Sequence, residues 1–503
     1  MSDTEKSKNM QVLPTKKIEL VRPPSGSIKE RMVVGALTIA RQKVLAESSK
    51  FYAVGTYELH ETDYRQLQAW ANMLGSDVEA VMERLSQLIY PMDNDGGIGL
   101  KIENGHIQSL VWDFDSFTLE RFDFLEGLEI KTLCFLGACP TGRLHLRLSS
   151  LTALYCNENQ LAELDLSVVP LLTTLNCRNN QITELDLSAV PQLTELYCGG
   201  SQLTDLNLPA VPQLTKLNCE NNQLTELDLS AVPLLTALNC GNNQITEMDL
   251  SAVPQLTWLS CRNNQLTEMD LSAVPQLTEL SCWNNQFTEL DLSPVPQLTK
   301  LYCWNNQFTE LDLSPVPQLT ELFCHENRLT ELDLSAVPQL TKLKCEDNQL
   351  TELDLSPVPR LILLHIFNNR LKRLGLSAVP LLSILDCGKN QLTELNLSAV
   401  PQLTKLYCQE NQIKELDLSA VPQLTELCCY LNQLKELDLS AVPKLTELSC
   451  WDNQLTELDL SAVPHLSDLC CVLNEITELD IRSLKELKTL ADDENVHVIG
   501  NRP

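Results

Sequence analysis

The thiols are the first side chains in this sequence able to do chemistry, and their spacing decides which kind. There are nineteen cysteines, and from Cys156 onward they recur every 21 residues: Cys156, Cys177, Cys198, Cys219 and beyond. One place in the series holds Ile366 instead. A site that accepts isoleucine treats its thiol as a small hydrophobe. Zinc needs four donors converging on one point, and one thiol per repeat forms a file that does not converge. No CxxC pair occurs. Free, buried thiols are therefore expected, suited to a reducing compartment. The vicinal pairs Cys428-Cys429 and Cys470-Cys471 place one further thiol each, Cys428 and Cys470, on the opposite, exposed face.

The other reactive side chains carry no catalytic grammar. The seven histidines (60, 106, 145, 325, 365, 465 and 497) show no HExxH or other paired ligand spacing. No GxSxG, Walker A or GxGxxG stretch is present. No enzyme, metal or cofactor is expected. The Met92–Gly97 stretch carries two acids and two glycines but lacks the later ligands of an EF-hand loop. The formal charge is −30, from 67 acidic and 37 basic residues. That charge disfavours nucleic acid and anionic membrane as partners. Acids recur in pairs, such as Glu226 with Asp228 and Glu247 with Asp249. Their functional reading is a calcium comb or a face for a basic partner. Their plainer reading is a solvated face that keeps open-ended stacks apart.

The element that positions all of these is one 21-residue phrase, clear at Leu214–Leu234 and present in sixteen in-register copies over 151–486. Counted from its first Leu, apolar residues fall at positions 1, 4, 6, 11, 14, 16 and 19. Two stretches alternate with period 2, predicting a strand at positions 3–5 and a second extended segment at 13–16. Position 9 is Asn in fifteen copies, with Ser201 the exception. An inward Asn after a strand can satisfy backbone groups that a sharp turn leaves open. Position 20 is Pro in every copy but the last, so an extended, polyproline-like return without helix is expected. Short-period repeats that cannot bury their own apolar face must stack as a solenoid.

These residues, L-x-x-L-x-C-x-x-N-x-L followed by L-x-x-L-D-L-S, resemble the bacterial leucine-rich repeat of the 21-residue class called IRREKO. The interior cysteine file resembles the cysteine-ladder repeats found among the internalins. The resemblance covers about residues 100–497 and implies a mainly parallel β solenoid. Internalin repeats belong to wall-anchored adhesins, whereas this chain has no apolar leader at its start and no LPxTG-type anchor at its end. Cytoplasmic location is the expectation, with signal-independent export as an effector or adhesin the alternative.

In chain order, residues 1–26 are a polar, Pro-containing lead-in expected to be disordered, and no segment is long and apolar enough to insert in a membrane. Residues 27–97 read as a small α-helical module and linker, with helices at Ser27–Glu47, Asp63–Met73 and Asp77–Tyr90, the last capped by Ser76 and closed by Pro91. Residues 98–150 are irregular capping rungs, with Cys134 and Cys139 out of register. Residues 487–503 form the C-terminal cap, where Asn495 keeps position 9 and VHVIG closes the edge.

Function is carried by variation. Positions 3, 5, 7 and 8 vary between copies whose other positions hardly change, as a binding face requires and a spacer does not. The aromatic set in the middle copies is the candidate site: Trp258 at position 3, Trp283 and Trp304 at 7, Tyr302 and Phe323 at 5, His325 and Phe367 at 7. The same position 7 holds Gly199, Gly241 or Gly388 elsewhere, so the fold does not need bulk there. Clustered exposed aromatics favour a protein partner, or less strongly a glycan. A second candidate is the basic island Arg360, Arg370, Lys372 and Arg373, which could dock an acidic partner, pair with Glu352 and Asp354, or be drift. A monomeric binding scaffold is expected. Its alternative is a structural rod that presents the helical module.

Overall fold

The computed structural model describes residues 50–91, 97–117, 124 and 127–503. The lead-in 1–26, the helix expected at Ser27–Glu47 and most of the Met92–Gly97 turn lie outside the described residues. The chain divides into two compact units, 1–224 and 225–503.

The first unit opens on a hairpin that the sequence pattern does not announce. Phe51–Val54 (β1) and Tyr57–His60 (β2) pair antiparallel around Gly55. Gly55 sits at φ 57°, the left-handed conformation glycine adopts without penalty. Helix α1 spans Glu61–Met73 and is capped by the His60 imidazole, which accepts from Thr62 N. Helix α2 spans Val78–Gln87; its cap is Asp77, accepting from Ala80 N at 2.8 Å, one residue after the Ser76 expected. It stops short of Pro91 because Ile89–Tyr90 (β3) leave the helix to pair with Ile98–Gly99 (β4). The module is thus helical with strand edges. Lys101–Glu103 (β5) and His106–Asp113 (β6) pair antiparallel, and β6 then starts the parallel ladder with Thr132–Leu136 (β7). Cys134 escapes the 21-residue count yet falls opposite Tyr155 of the first full rung. Tyr90 packs on both. Its ring lies 5.4 Å from that of Tyr155, and its hydroxyl donates to the Asn157 side chain.

In both units the rungs follow the predicted register. Each inner strand is three residues at positions 3–5 and pairs in parallel with the next, as Thr174–Asn176 with Glu195–Tyr197 and Lys300–Tyr302 with Glu321–Phe323. The seven apolar positions form the core; in one rung Leu298, Leu301, Cys303, Phe308, Leu311, Leu313 and Val316 are all at most 8% exposed. Burying each such side chain is worth about 1.5–3 kcal/mol. All nineteen cysteines are free, and only Cys428 and Cys470 are not fully buried. Ile366 fills the ladder position of its rung at 0% exposure.

Asn at position 9 closes the turn. Asn306 Nδ2 donates to the Cys303 carbonyl of its own rung and the Cys282 carbonyl of the rung before, each at 3.1 Å, while its Oδ1 accepts from Phe287 N at 3.1 Å. With the Trp304 carbonyl at 3.3 Å, one amide meets four backbone groups across two rungs. At the Ser201 exception the hydroxyl oxygen is buried without a hydrogen-bond partner. The C-terminal cap departs from expectation. Asn495 is exposed in a turn, and Asp493 instead accepts from Leu473 N at 2.9 Å. The VHVIG segment does close the outer side, His497–Ile499 pairing with Glu478–Asp480.

Two further positions are set by backbone geometry. Position 8 lies in the left-handed region throughout, for example Asn284 at φ 55° and Leu473 at 58°. Its preference for Asn, Asp and Gly is therefore conformational. Position 8 is thus not a free recognition position, contrary to what its variation implies. The segment at 13–16 pairs as a strand at Glu163–Asp165 and Glu478–Asp480. In most other rungs the Asp at 15 turns its carboxylate onto the backbone, as Asp291 Oδ1 does on Ser293 N at 2.8 Å. The return is more tightly wound than the expected polyproline-like run. Two successive turns close it, Val295 N to Leu292 O and Leu298 N to Val295 O, each 3.0 Å.

Candidate functional site

Parallel strands in register put equal positions about 4.8 Å apart, which is the spacing at which flat rings stack. The second unit uses this at position 7. The Trp283 and Trp304 rings stack with centroids 4.6 Å apart and planes 12° from parallel. His325 extends the stack at 5.0 Å and 10°. The Arg262 guanidinium lies 5.5 Å from the Trp283 centroid, a cation over a ring face. Beside this file, at position 5, Tyr302 and Phe323 pack at 5.0 Å, and Tyr302 meets Trp304 edge-on at 6.2 Å. Lys344 Nζ sits 5.1 Å over Phe323. All five aromatic side chains are half-buried, presenting edges and faces that packing leaves uncovered.

Two of the candidate residues stand apart. Trp258, at position 3, makes no ring contact among the described residues. Phe367 is separated from His325 by the intervening position 7 of Glu346 and is met by Lys389 Nζ at 5.9 Å. Tyr430 and Trp451 form a second stack further along the same file, at 4.5 Å, where no cluster was expected. The repeated position 7 in adjacent copies was the signal for it.

The file ends in polar groups without partners. His325 Nδ1 and Glu346 Oε2 are buried with no hydrogen-bond partner, and His325 Nδ1 lies 3.9 Å from Glu346 Oε1. Burial, and then Lys344, pushes the His325 imidazole down to about 4. Burial pushes Glu346 up to about 7. Near pH 6 both are mainly neutral, so their proximity is a contact and not an ion pair. Burial acts likewise on His365, down to about 4, and on Asp386, up to about 6.

The basic island lies elsewhere on the rung. Arg370, Lys372 and Arg373 occupy positions 10, 12 and 13, beyond the strand and the Asn turn, and are exposed. Among the described residues none of the three has an ion pair, so of the three alternatives the pairing with Glu352 and Asp354 is absent. Arg360 donates to the Gln339 side chain of the neighbouring rung. Arg373 and Gly375 replace the usual Glu and Asp along an open groove of about 1530 Å³ whose other walls include Glu331, Asp333, Glu352 and Asp354. The acidic pairs have a structural use that spacing did not suggest. Hydrogen bonds from Ser251 hold Asp249 below the usual carboxylate range, and Ser272 does the same for Asp270.

The repeat and its cysteine ladder have counterparts among known proteins. The family model described as leucine rich repeats (2 copies) matches residues 170–210, 212–252 and 275–317. Among solved structures, the functional domain of InlJ from Listeria monocytogenes, described as including a cysteine ladder, is 40% identical. The match covers 64% of this chain and 71% of that one, with a TM-score of 0.61. YopM from Yersinia enterocolitica matches with 24% identity over 87% of this chain and 98% of its own, at a TM-score of 0.60. A leucine-rich repeat protein of Leptospira interrogans matches with 22% identity over 66% and 86%, at 0.54. The last two show the fold alone. No match was found among curated protein sequences.

Proposed function

Because this chain belongs to the leucine-rich repeat family, in its bacterial cysteine-ladder form, we propose that it is a non-enzymatic scaffold binding another protein. The contact is the aromatic file Trp283, Trp304 and His325 with Tyr302 and Phe323. One observation carries this: stacked, half-buried aromatic rings occupy a position where the same fold accepts glycine at Gly241 and Gly388. The fold has no use for the bulk, and aromatic anchors of this kind dominate interface energies. Trp258 and Phe367 extend the contact on either side. Arg370, Lys372 and Arg373, which have no ion pair among the described residues, form a separate contact for an acidic partner surface. The buried free thiols favour a reducing compartment, which cell fractionation tests directly.

The experiment is capture of binding proteins from host or bacterial extract, beside a glycan array, with wild type and a Trp283→Ala, Trp304→Ala double variant. A protein captured by wild type and lost by the variant supports the proposal. Glycan binding lost by the variant would replace the protein partner with a sugar. Equal capture by both would remove this site.

A further inference from the structure

The spacing of the histidines announces no metal site, yet the fold of the first unit brings two of them onto one buried carboxylate. His60 ends β2 and caps α1, Asp63 lies in the first turn of α1, and His106 begins β6. Donor atoms of the three lie within 4.8 Å of one another. His106 Nδ1 is 2.9 Å from Asp63 Oδ2, and the two imidazole centroids are 4.5 Å apart. Three separate contacts hold the cluster in place. Ile107 N donates to Asp63 Oδ1 at 2.9 Å, Thr62 Oγ1 donates to Asp63 Oδ2 at 3.0 Å, and His60 N donates to the Gly105 carbonyl at 2.8 Å. Gly105 permits that approach; a Cβ there would come within 2.4 Å of the Phe51 ring and 3.1 Å of His60 N.

We infer that His60, Asp63 and His106 form a three-ligand site for a divalent transition metal, with zinc the ion whose preferences they fit. The donor set is two imidazoles and one carboxylate. Oxygen-seeking calcium and magnesium disfavour it, thiolate-seeking copper(I) finds no sulfur in it, and zinc binds such sets tetrahedrally. At zinc–ligand distances near 2.0–2.1 Å, two donors of a tetrahedron lie about 3.3 Å apart. The 2.9 Å between Asp63 Oδ2 and His106 Nδ1 needs to open by only a few tenths of an ångström to admit the ion.

Charge argues the same way. Asp63 is 0% exposed, and its only ion-pair partner among the described residues is His106. A buried carboxylate is costly unless a cation compensates it. The helix start, which would by itself repel a cation, carries Glu61 and Asp63. The ion then bolts together the hairpin end, the helix start and β6. The fourth position stays open to water or to a donor from another molecule, since His60 and His106 are only half-buried.

The test uses the full chain, freed of metal by a chelator and titrated with Co²⁺, then Zn²⁺. One equivalent of Co²⁺ should bind with the strong visible absorption of a four-coordinate ion and without thiolate charge-transfer bands. His60→Gln and His106→Gln should each weaken binding by at least about a hundredfold. X-ray absorption of the zinc-loaded wild type should show a first shell of imidazole nitrogen and carboxylate oxygen only, a readout that stands even where a variant fails to fold. A sulfur shell, six-coordinate absorption, no binding by wild type, or unchanged affinity in both folded variants would overturn the inference.

Discussion

Two files of side chains run down the same rungs two residues apart, and they behave oppositely. Position 9 is Asn almost throughout, and in Asn306 its amide meets backbone groups of two rungs at 3.1 Å. Position 7 runs from Gly241 through Arg262, Trp283, Trp304 and His325 to Glu346, Phe367 and Gly388, and leaves His325 Nδ1 and Glu346 Oε2 without hydrogen bonds. Both files share the same rungs and the same strand register, so the difference lies in what each position does for the backbone. Where the backbone needs a side chain, the residue is nearly fixed and its amide bonds the backbone, with Asn159 Oδ1 and Ser201 Oγ the exceptions that find no partner among the described residues. Where it does not, the residue varies, and the proposed function makes a partner outside the chain the reason.

The largest effect should come from breaking the fixed file. Asn306→Ala removes the bonds to three carbonyls and one N–H inside the turn, at about 1–3 kcal/mol for an unsatisfied buried group. Chemical denaturation should show a loss of about 3 kcal/mol, whereas a Gly at position 7 of the same rung should cost far less. A smaller gain is expected at position 8. Leu473 is 60% exposed and held at φ 58°, where a non-glycine residue is strained by roughly 1–2 kcal/mol. Leu473→Asn should raise stability by about 1 kcal/mol in the same assay, and a loss would contradict the conformational account of that position.

The variable file also predicts a pH response. His325 and His365 titrate near 4 when folded against an ordinary 6.5, so between those values the unfolded chain binds more protons. Their contribution to stability therefore rises with pH through that window and is complete above it. Glu346 does the reverse, its folded value near 7 lying above its ordinary 4.5, so its contribution falls as pH rises from 4.5 to 7. The two trends oppose each other in wild type. A His325→Phe, His365→Phe variant keeps aromatic bulk and removes the rising term. Its urea midpoint should fall from pH 5 to pH 6.5 more steeply than that of wild type, and parallel curves would contradict the burial argument. The smallest effect on stability belongs to the basic island. Arg370→Glu with Arg373→Glu breaks no ion pair among the described residues, so the melting curve should stay nearly unchanged while capture of an acidic partner is lost.

Much of this was legible in the sequence because repetition multiplies a weak signal. The strand at positions 3–5, the seven core positions and the Asn turn follow from one period, and the stacking of Trp283 on Trp304 follows from their shared position. What escaped had no repetition behind it. The hairpin at Phe51–His60 occurs once, and His60 and His106 meet only because β2, α1 and β6 pack together. Position 8 misled for another reason. Its mixture of Asn, Asp, Gly, Glu, Lys and Leu resembles free variation, but its left-handed backbone explains the preference for the first three. The Asp at 15 looked like surface charge because its bond to the Ser backbone two residues on is local and silent in the periodicity.

The central claim is that position 7 is shaped by recognition and not by packing. The measurement that tests it is the affinity for the captured partner alongside the denaturation free energy, for wild type and a Trp283→Gly, Trp304→Gly variant. The glycines are those the fold already carries at 241 and 388. The account predicts at least a hundredfold loss of affinity, about 2.7 kcal/mol, with stability lowered by no more than about 1 kcal/mol per lost stacked pair. Unchanged affinity with a stability loss of several kcal/mol would contradict it and make the tryptophans part of the core.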